Sequence, residues 1–292
     1  MTRLSEIQSH IGSMNELLDI VGAMRSLAGM RMQESQHALP GIRGYAESMA
    51  NAIGSAFLLM HQSLGDARQD RARRVVILCM TEHGFVGEVN ERMLEAVEAT
   101  LEAADLLFVL GSRGAALTFE HGHKIAWTRP MATRLAGAPD MVNRLTNELY
   151  ARIARGEITR VEVIYGRYRQ GAPTTIECRL ILPIDTVALS SKNAHQAPLH
   201  NLPPRPLLEK LMAEYVFALL TEAAVESIAS ENAARFAAME SAHDNISKKL
   251  AGLQENARQA RQTEITSELL DLMTGAEAMQ PAPHRHSRNQ TM

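Results

Sequence analysis

Apolar side chains recur along the first part of the chain in alternating steps of four and three. Ile7, Ile11, Met14, Leu18 and Val21 keep that beat, which is the mark of a helix that pairs with another along a left-handed seam. Met24, Leu27 and Met30 continue an apolar edge, and Ser5 with Gln8 three residues on has the form of a capping box. Pro40 followed by Gly41 predicts a kink or break, because proline removes an amide donor and collides with the preceding turn. A second helical segment over about residues 42–63 carries Tyr45, Met49, Ile53, Phe57 and Met60, and the charged stretch 68–74 reads as a linker.

The same beat returns near the other end. Ile246, Leu250, Leu253, Ala257 and Ala260 again alternate four and three, and Leu211, Tyr215, Ala218, Val225, Ala229, Ala233, Phe236 and Met239 keep a similar spacing with alanine prominent. Residues 207–279 contain no proline, so one unbroken helix is predicted. At 1.5 Å rise per residue it would extend roughly 110 Å, more than a globular domain spans. Its apolar face therefore needs a partner. Two arms at opposite ends of one chain supply each other with one by pairing antiparallel.

Between the arms the period changes. Residues 75–80 form a short, wholly apolar run, as expected for a strand buried on both faces. A glycine-bearing loop at 83–87 leads to a helix at about 90–104, and strand 106–110 with a glycine turn at 111–114 repeats the pattern. A third strand candidate lies at 125–127 and a third helix at 140–155. Runs 161–168 and 174–182 read as a hairpin around Gln170-Gly171. Alternating strands and helices predict an open, mostly parallel Rossmann-like sheet. The fold class expected is thus mixed, α+β or α/β: a long antiparallel coiled coil of the terminal helices with a central Rossmann-like α/β domain. The divisions are an N-terminal arm (1–72), the α/β domain (73–184), a proline-bearing connector (185–206), the long C-terminal helix (207–279) and a disordered tail (280–292).

Composition narrows the chemistry. Hydrophobic residues make up 46% of the chain but aromatics only 4%, with 16 Met, a balance that suits helix–helix seams better than a wide globular core. A net charge of −3 with no Lys/Arg run argues against a nucleic-acid partner. Apolar runs are too short to cross a bilayer and no basic-then-apolar leader opens the chain, so a cytosolic, soluble protein without membrane insertion is expected. Cys79 and Cys178 fall in predicted strands and read as buried, reduced thiols. Neither G-x-x-x-x-G-K-[ST] nor G-x-G-x-x-G occurs; Gly84 with Gly87 and Gly111 with Gly114 read as strand-to-helix turns. Glu82 and His83 beside Glu88 form an acid/base candidate, set against the plainer reading of loop polarity. His284 and His286 are a weak metal candidate in a tail better read as disordered. No catalytic, cofactor or metal site is assigned.

Specific residues resemble the gamma subunit of F-type ATP synthases. The run Ala229-Ser230-Glu231-Asn232-Ala233-Ala234-Arg235-Phe236-Ala237-Ala238-Met239 is similar to that family's ASE-x-AARM-x-AM, residues 260–269 to its ARQ-x-x-IT-x-EL, and Gly275-Ala276-Glu277-Ala278 to its closing GA-x-A. Near the start, Ile11-Gly12-Ser13, Ala23-Met24 and Arg43-Gly44-Tyr45-Ala46 stand where the family has I-x-S, AM and RPYA. The middle departs: residues 81–90 stand where the family reads SDRGLCGGFN, keeping both glycines and the final Asn90 but not the Asp-Arg pair or the cysteine. That departure fits an alternative, sodium-linked N-type ATPase as well as the standard enzyme, and thiol control is not expected.

The resemblance implies a non-catalytic rotor shaft with no cofactor, peripheral on the cytoplasmic face of the inner (plasma) membrane. Its partners would be the alpha and beta subunits, epsilon and the membrane c-ring. It places a beta-subunit catch at Arg261, Gln262 and Thr266, and shaft contacts at Met24, Arg25 and Glu268; counting from Ile265-Thr266 selects Arg261-Gln262 over the neighbouring Arg258-Gln259. The other reading is an α/β enzyme or nucleotide-binding protein with coiled-coil oligomerisation arms. The seam itself makes a prediction. Leu250→Asp sets an unpaired carboxylate in an apolar interface, costing several kcal/mol unless the group stays protonated, and assembly with partner subunits is expected to fail in a pull-down. Assembly that survives the change would remove Leu250 from the seam.

Overall fold

In the computed structural model, which describes residues 3–57, 59, 73–169, 172–185, 189 and 199–278, two helices dominate. Helix α1 runs Arg3–Phe57 and helix α5 runs Pro204–Ala278. Between them come β1 (Arg73–Cys79), α2 (Val89–Glu98), β2 (Leu106–Leu110), α3 (Ser112–Glu120), β3 (Ile125–Arg129), a 3-10 turn (Leu135–Gly137), α4 (Ala138–Ala154), β4 (Ile158–Arg169) and β5 (Ala172–Leu182). The chain divides into two compact units, residues 1–22 with 241–292 and residues 23–240. The disordered tail expected at 280–292, with His284 and His286, and the turn at 170–171 lie outside the described residues.

The larger unit is built on a five-stranded sheet of order β3-β2-β1-β4-β5. Strands β1 to β4 pair in parallel and β5 closes the edge antiparallel to β4, the Rossmann-like arrangement the alternation predicts. Period-two burial is visible in β1. Val75, Ile77 and Cys79 join Phe108, Val163 and residues of α4 and α5 in one core, while Val76, Leu78 and Met80 join Leu107, Val109 and the α2 residues Met93 and Val97 in the other. A wholly apolar strand is what two covered faces require. The edge position of β5 corrects one expectation: Cys79 is buried, but Cys178 is exposed, because alternate side chains of this edge strand turn away from the core.

Within this unit α1 and α5 run antiparallel. Arg25 pairs with Glu240, Gly29 lies under the Phe236 ring, Arg43 reaches Glu226 and Glu222, and Tyr45 donates to Glu214 at 2.8 Å. Partner numbers fall as α1 advances. The inner face of α1 keeps the heptad through Ala28, Ser35, Leu39, Ala46 and Ile53, all buried. Leu27 and Met30, on the apolar edge that continues the first stripe, are exposed. Small residues hold the seam here: a methyl group on Gly29 would stand 3.3 Å from the Phe236 ring, so a larger side chain would push the helices apart.

The break expected at Pro40-Gly41 is absent, for Pro40 lies inside a continuous α1. A mid-helix proline costs about 3 kcal/mol in isolation. Pro40 is exposed, however, and the flanking Leu39, Ala46 and Ile53 are packed on the core; that burial carries the helix through. The segment read separately at 42–63 is the second half of α1 as far as Phe57.

Helix α5 is buried on all sides from 218 to 232, with α1 on one flank and the sheet with α4 on the other. In the smaller unit both expected stripes are half-buried: Ile7, Ile11, Met14 and Leu18 on α1, and Ile246, Leu250, Leu253, Ala257 and Ala260 on α5. Val21, at the end of the first stripe, is buried.

Candidate functional site

The last turns of α5 differ from the rest of the helix. From 265 to 275 every described residue is exposed. These include Ile265 at 51%, Leu269 at 56%, Leu270 at 58%, Leu272 at 70% and Met273 at 68% relative exposure. Contiguous apolar exposure of this kind marks a surface that a partner covers. The residues just before it are chemically sorted. Arg258 pairs with Glu255 at 2.7 Å and Gln259 donates to the same carboxylate at 3.5 Å, so both are occupied within their own helix. Arg261 and Gln262 are exposed and, among the described residues, have no side-chain partner. Thr263 and Thr266 turn their hydroxyls back onto the carbonyls of Gln259 and Gln262 at 3.0 and 2.8 Å. Arg261 and Gln262 thus offer a free guanidinium fork and a free amide, beside an apolar surface. Glu268 is exposed on the same stretch.

The residues read as shaft contacts near the N-terminus are placed differently. Met24 is half-buried, and Arg25 is taken up by Glu240 at 3.2 Å. Both members of that pair keep part of their surface in solvent, and pairs of this type contribute at most about 1 kcal/mol.

A second constellation lies where the parallel strands end, the position at which sheets of this kind hold ligands. Here the crevice is filled by the chain itself. The Glu82 carboxylate accepts from the Ser112 amide at 2.9 Å, the Ser112 hydroxyl at 2.7 Å and the Met131 amide at 2.8 Å. One side chain thereby fastens the ends of β1, β2 and β3 and places negative charge on the first turn of α3, where the helix dipole favours it. Gly111 precedes that turn with φ of 105°, and a Cβ there would come within 2.5 Å of the Met80 carbonyl; only glycine fits. Of the acid/base candidates His83 and Glu88 are exposed, and Glu82 is a fastener. The sequence signal that could have found it is its place in the motif, where the family also carries a carboxylate.

The same loop is held from α5. Ser227 donates to the Cys79 carbonyl at 2.5 Å, Glu231 accepts from the Glu82 amide at 3.3 Å, and Arg235 donates to the Gly84 carbonyl at 3.3 Å while pairing with Glu231 at 2.6 Å. Asn90 closes the loop, accepting from the Thr81 amide at 3.1 Å and donating to its hydroxyl at 2.7 Å. Ser230 packs on β4 so closely that a methyl on Gly166 would fall 2.3 Å from its hydroxyl oxygen. The stretch 229–235 and the stretch 81–90 are therefore one contact. Sequence reasoning noted both runs without their joint role, since spacing along a chain carries no record of which helix face meets which loop.

Among the described residues no group of three metal-ligating side chains occurs, and no helix is long and apolar enough to cross a membrane. Cys79 sits wholly in the core, and burial pushes its thiol up to about 12, which keeps it protonated and unreactive.

The strand ends are thus closed by the chain's own side chains, and the last turns of α5 carry apolar surface that no described residue covers, the form of a subunit that packs against other chains. The family model for ATP synthase matches residues 3–279. The ATP synthase gamma chain of Prosthecochloris aestuarii is 26% identical over 300 residues, covering 96% of this chain and 99% of that one. In structure the chain is similar to a component of the Euglena gracilis mitochondrial ATP synthase, with a TM-score of 0.67, 14% identity and coverage of 98% and 99% of the two chains. It is also similar to one in the central stalk and c-ring assembly of Tetrahymena thermophila, with a TM-score of 0.54, 17% identity and coverage of 76% and 99%. The chain belongs to the ATP synthase gamma family.

The Glu82 fastener makes a prediction. Glu82→Ala leaves two amides and a hydroxyl without an acceptor and is expected to destabilise the chain by about 1–3 kcal/mol in urea unfolding. Amide exchange at Ser112 and Met131 should accelerate. Unchanged exchange at both would mean that the carboxylate does not hold the strand ends.

Proposed function

We propose that the chain is the non-catalytic rotor shaft of a membrane-bound ATP synthase, turning within a ring of alpha and beta subunits while its sheet domain contacts epsilon and the membrane c-ring. Ion flow through the membrane sector turns the shaft, and the shaft's changing contacts bias each beta subunit among its open and closed states. That is a population shift driven by differential contact free energy. The shaft is peripheral, on the cytoplasmic face of the inner (plasma) membrane, and the chemistry of ATP belongs to beta. The observation that carries this reading is the end of α5: apolar side chains from Ile265 to Met273 without cover, next to an Arg261 and Gln262 without partners. Membership of the gamma family supports it.

In this reading Arg261 and Gln262 form the catch that holds the shaft at one rotary position, with Thr266 and Glu268 on the same surface and Met24 and Arg25 as shaft contacts nearer the N-terminus. Hydrogen bonds from a guanidinium to a carboxylate or carbonyl contribute about 1.5–3 kcal/mol each, enough to bias a pause without locking it. Arg261→Ala combined with Gln262→Ala is expected to impair coupled ATPase and synthesis in the assembled complex while leaving assembly intact. The Arg258→Ala, Gln259→Ala pair, already occupied by Glu255, should do much less. Equal losses from both pairs would displace the catch from Arg261-Gln262, and no loss from either would remove it.

A further inference from the structure

On α5, Glu222 and Glu226 stand one turn apart and both are buried, Glu226 with its side chain only 2% exposed. Arg43 of α1 reaches them together: its Nε donates to Glu222 Oε1 at 2.8 Å and its Nη2 to Glu226 Oε1. From the sheet, Arg179 of β5 donates to the other oxygen of Glu222 at 2.6 Å, and Arg167 of β4 stands 3.6 Å from Glu226. Glu177 of β5 accepts from Arg167 at 2.9 and 3.1 Å and from Tyr165 at 3.2 Å. Glu222 and Glu226 are thus each gripped from α1 on one side and from the sheet on the other, while the more exposed Arg169 stands 3.9 Å from Glu177 at the rim.

The electrostatics differ along that turn. Burial alone would raise Glu222, but hydrogen bonds from Arg43 and Arg179 outweigh it and hold the carboxyl below its usual range. Glu226 is pushed upward by burial, and among the described residues its Oε2 has no hydrogen-bond partner.

Small side chains, Ala46 and Ala50 on α1 and Ala218, Ala223 and Ala224 on α5, are buried around this cluster beside the larger Tyr215 and Leu219. Dispersion between such groups is non-directional and resists separation of two helices far better than rotation of one about its axis. Forked, charge-assisted bonds are directional. Buried ion clusters also contribute little net stability relative to apolar packing of the same volume, so the geometry they impose is what distinguishes this one.

We propose that the cluster of Arg43, Glu222, Glu226, Arg167, Arg179 and Glu177 is the joint that locks α1 and α5 to the sheet domain in rotation. Torque then passes between sheet and helices through the two forks of Arg43 and the sheet arginines behind them. The inference rests on the rotor reading. Its test uses the chain assembled with alpha and beta subunits, with a bead fixed to the sheet domain and rotation followed by single-molecule microscopy. Torsional stiffness is read from the angular fluctuations at a pause.

Arg43→Lys keeps the charge but cannot span both glutamates. The quadruple change Arg43→Met, Arg179→Met, Glu222→Met and Glu226→Met replaces the cluster with apolar groups. Four grips hold Glu222 and Glu226, and parallel grips add as springs do: Arg43→Lys keeps three and should raise the angular variance by about a third, while the quadruple change removes all four and should raise it by more than about twofold. ATP hydrolysis without load should stay unchanged. Unaltered stiffness in both variants overturns the joint and leaves the rotor standing. An unaltered chain that never rotates in the complex overturns the rotor reading and the joint with it.

Discussion

A helix from Pro204 to Ala278 must find cover for its apolar positions, and the larger unit answers that constraint for its own part of the helix. From 218 to 232 the cover is complete, so even the charged residues of that stretch are buried. Burying a charge is tolerable only with a partner in place, and each one has it: Glu222 and Glu226 take arginines from α1 and the sheet, and Glu231 takes Arg235 and the Glu82 amide. The polar residues of this helix dictate where α1, the sheet edge and the loop after β1 must sit. Alanine between them lets those elements come close.

The sheet domain is a Rossmann-like framework put to a different use. In related architectures the strand ends hold a ligand; here Glu82, Glu231 and Arg235 occupy that space and fasten it. The same backbone donors that would receive a phosphate receive a carboxylate from the chain itself. This makes the domain a rigid attachment for α1 and α5, consistent with membership of the gamma family.

Much of this was legible in the sequence because it is periodic. The four–three beat of Ile7 to Val21 and of Ile246 to Ala260, and the apolar runs at 75–80 and 106–110, are local patterns that burial on one stripe or two faces imposes. What escaped the sequence is set by contacts between distant segments. Pro40 argues locally for a break, and only the burial of Leu39 and Ala46 against other elements overrides it. Cys178 is exposed because β5 is an edge strand, which depends on sheet order and not on the strand's own composition. Glu82 looked like loop polarity because its donors, Ser112 and Met131, arrive from beyond the ends of two later strands. Register alone selects Arg261-Gln262 over Arg258-Gln259 as the proposed catch, whereas the engagement of Arg258 and Gln259 by Glu255 is visible only in the folded helix.

From 265 to 275 the helix has no cover among the described residues, and this is where the account is most exposed to test. Oxidation of methionines by dilute peroxide, mapped by mass spectrometry, reads cover directly. Met93 and Met80, with 0% and 1% exposure, serve as internal references. In the isolated chain Met273 should oxidise rapidly while the two references resist. In the complex reconstituted with alpha and beta subunits, Met273 should become protected toward the reference rate. Equal oxidation of Met273 in both states would contradict the claim that the end of α5 is built to be enclosed by a partner.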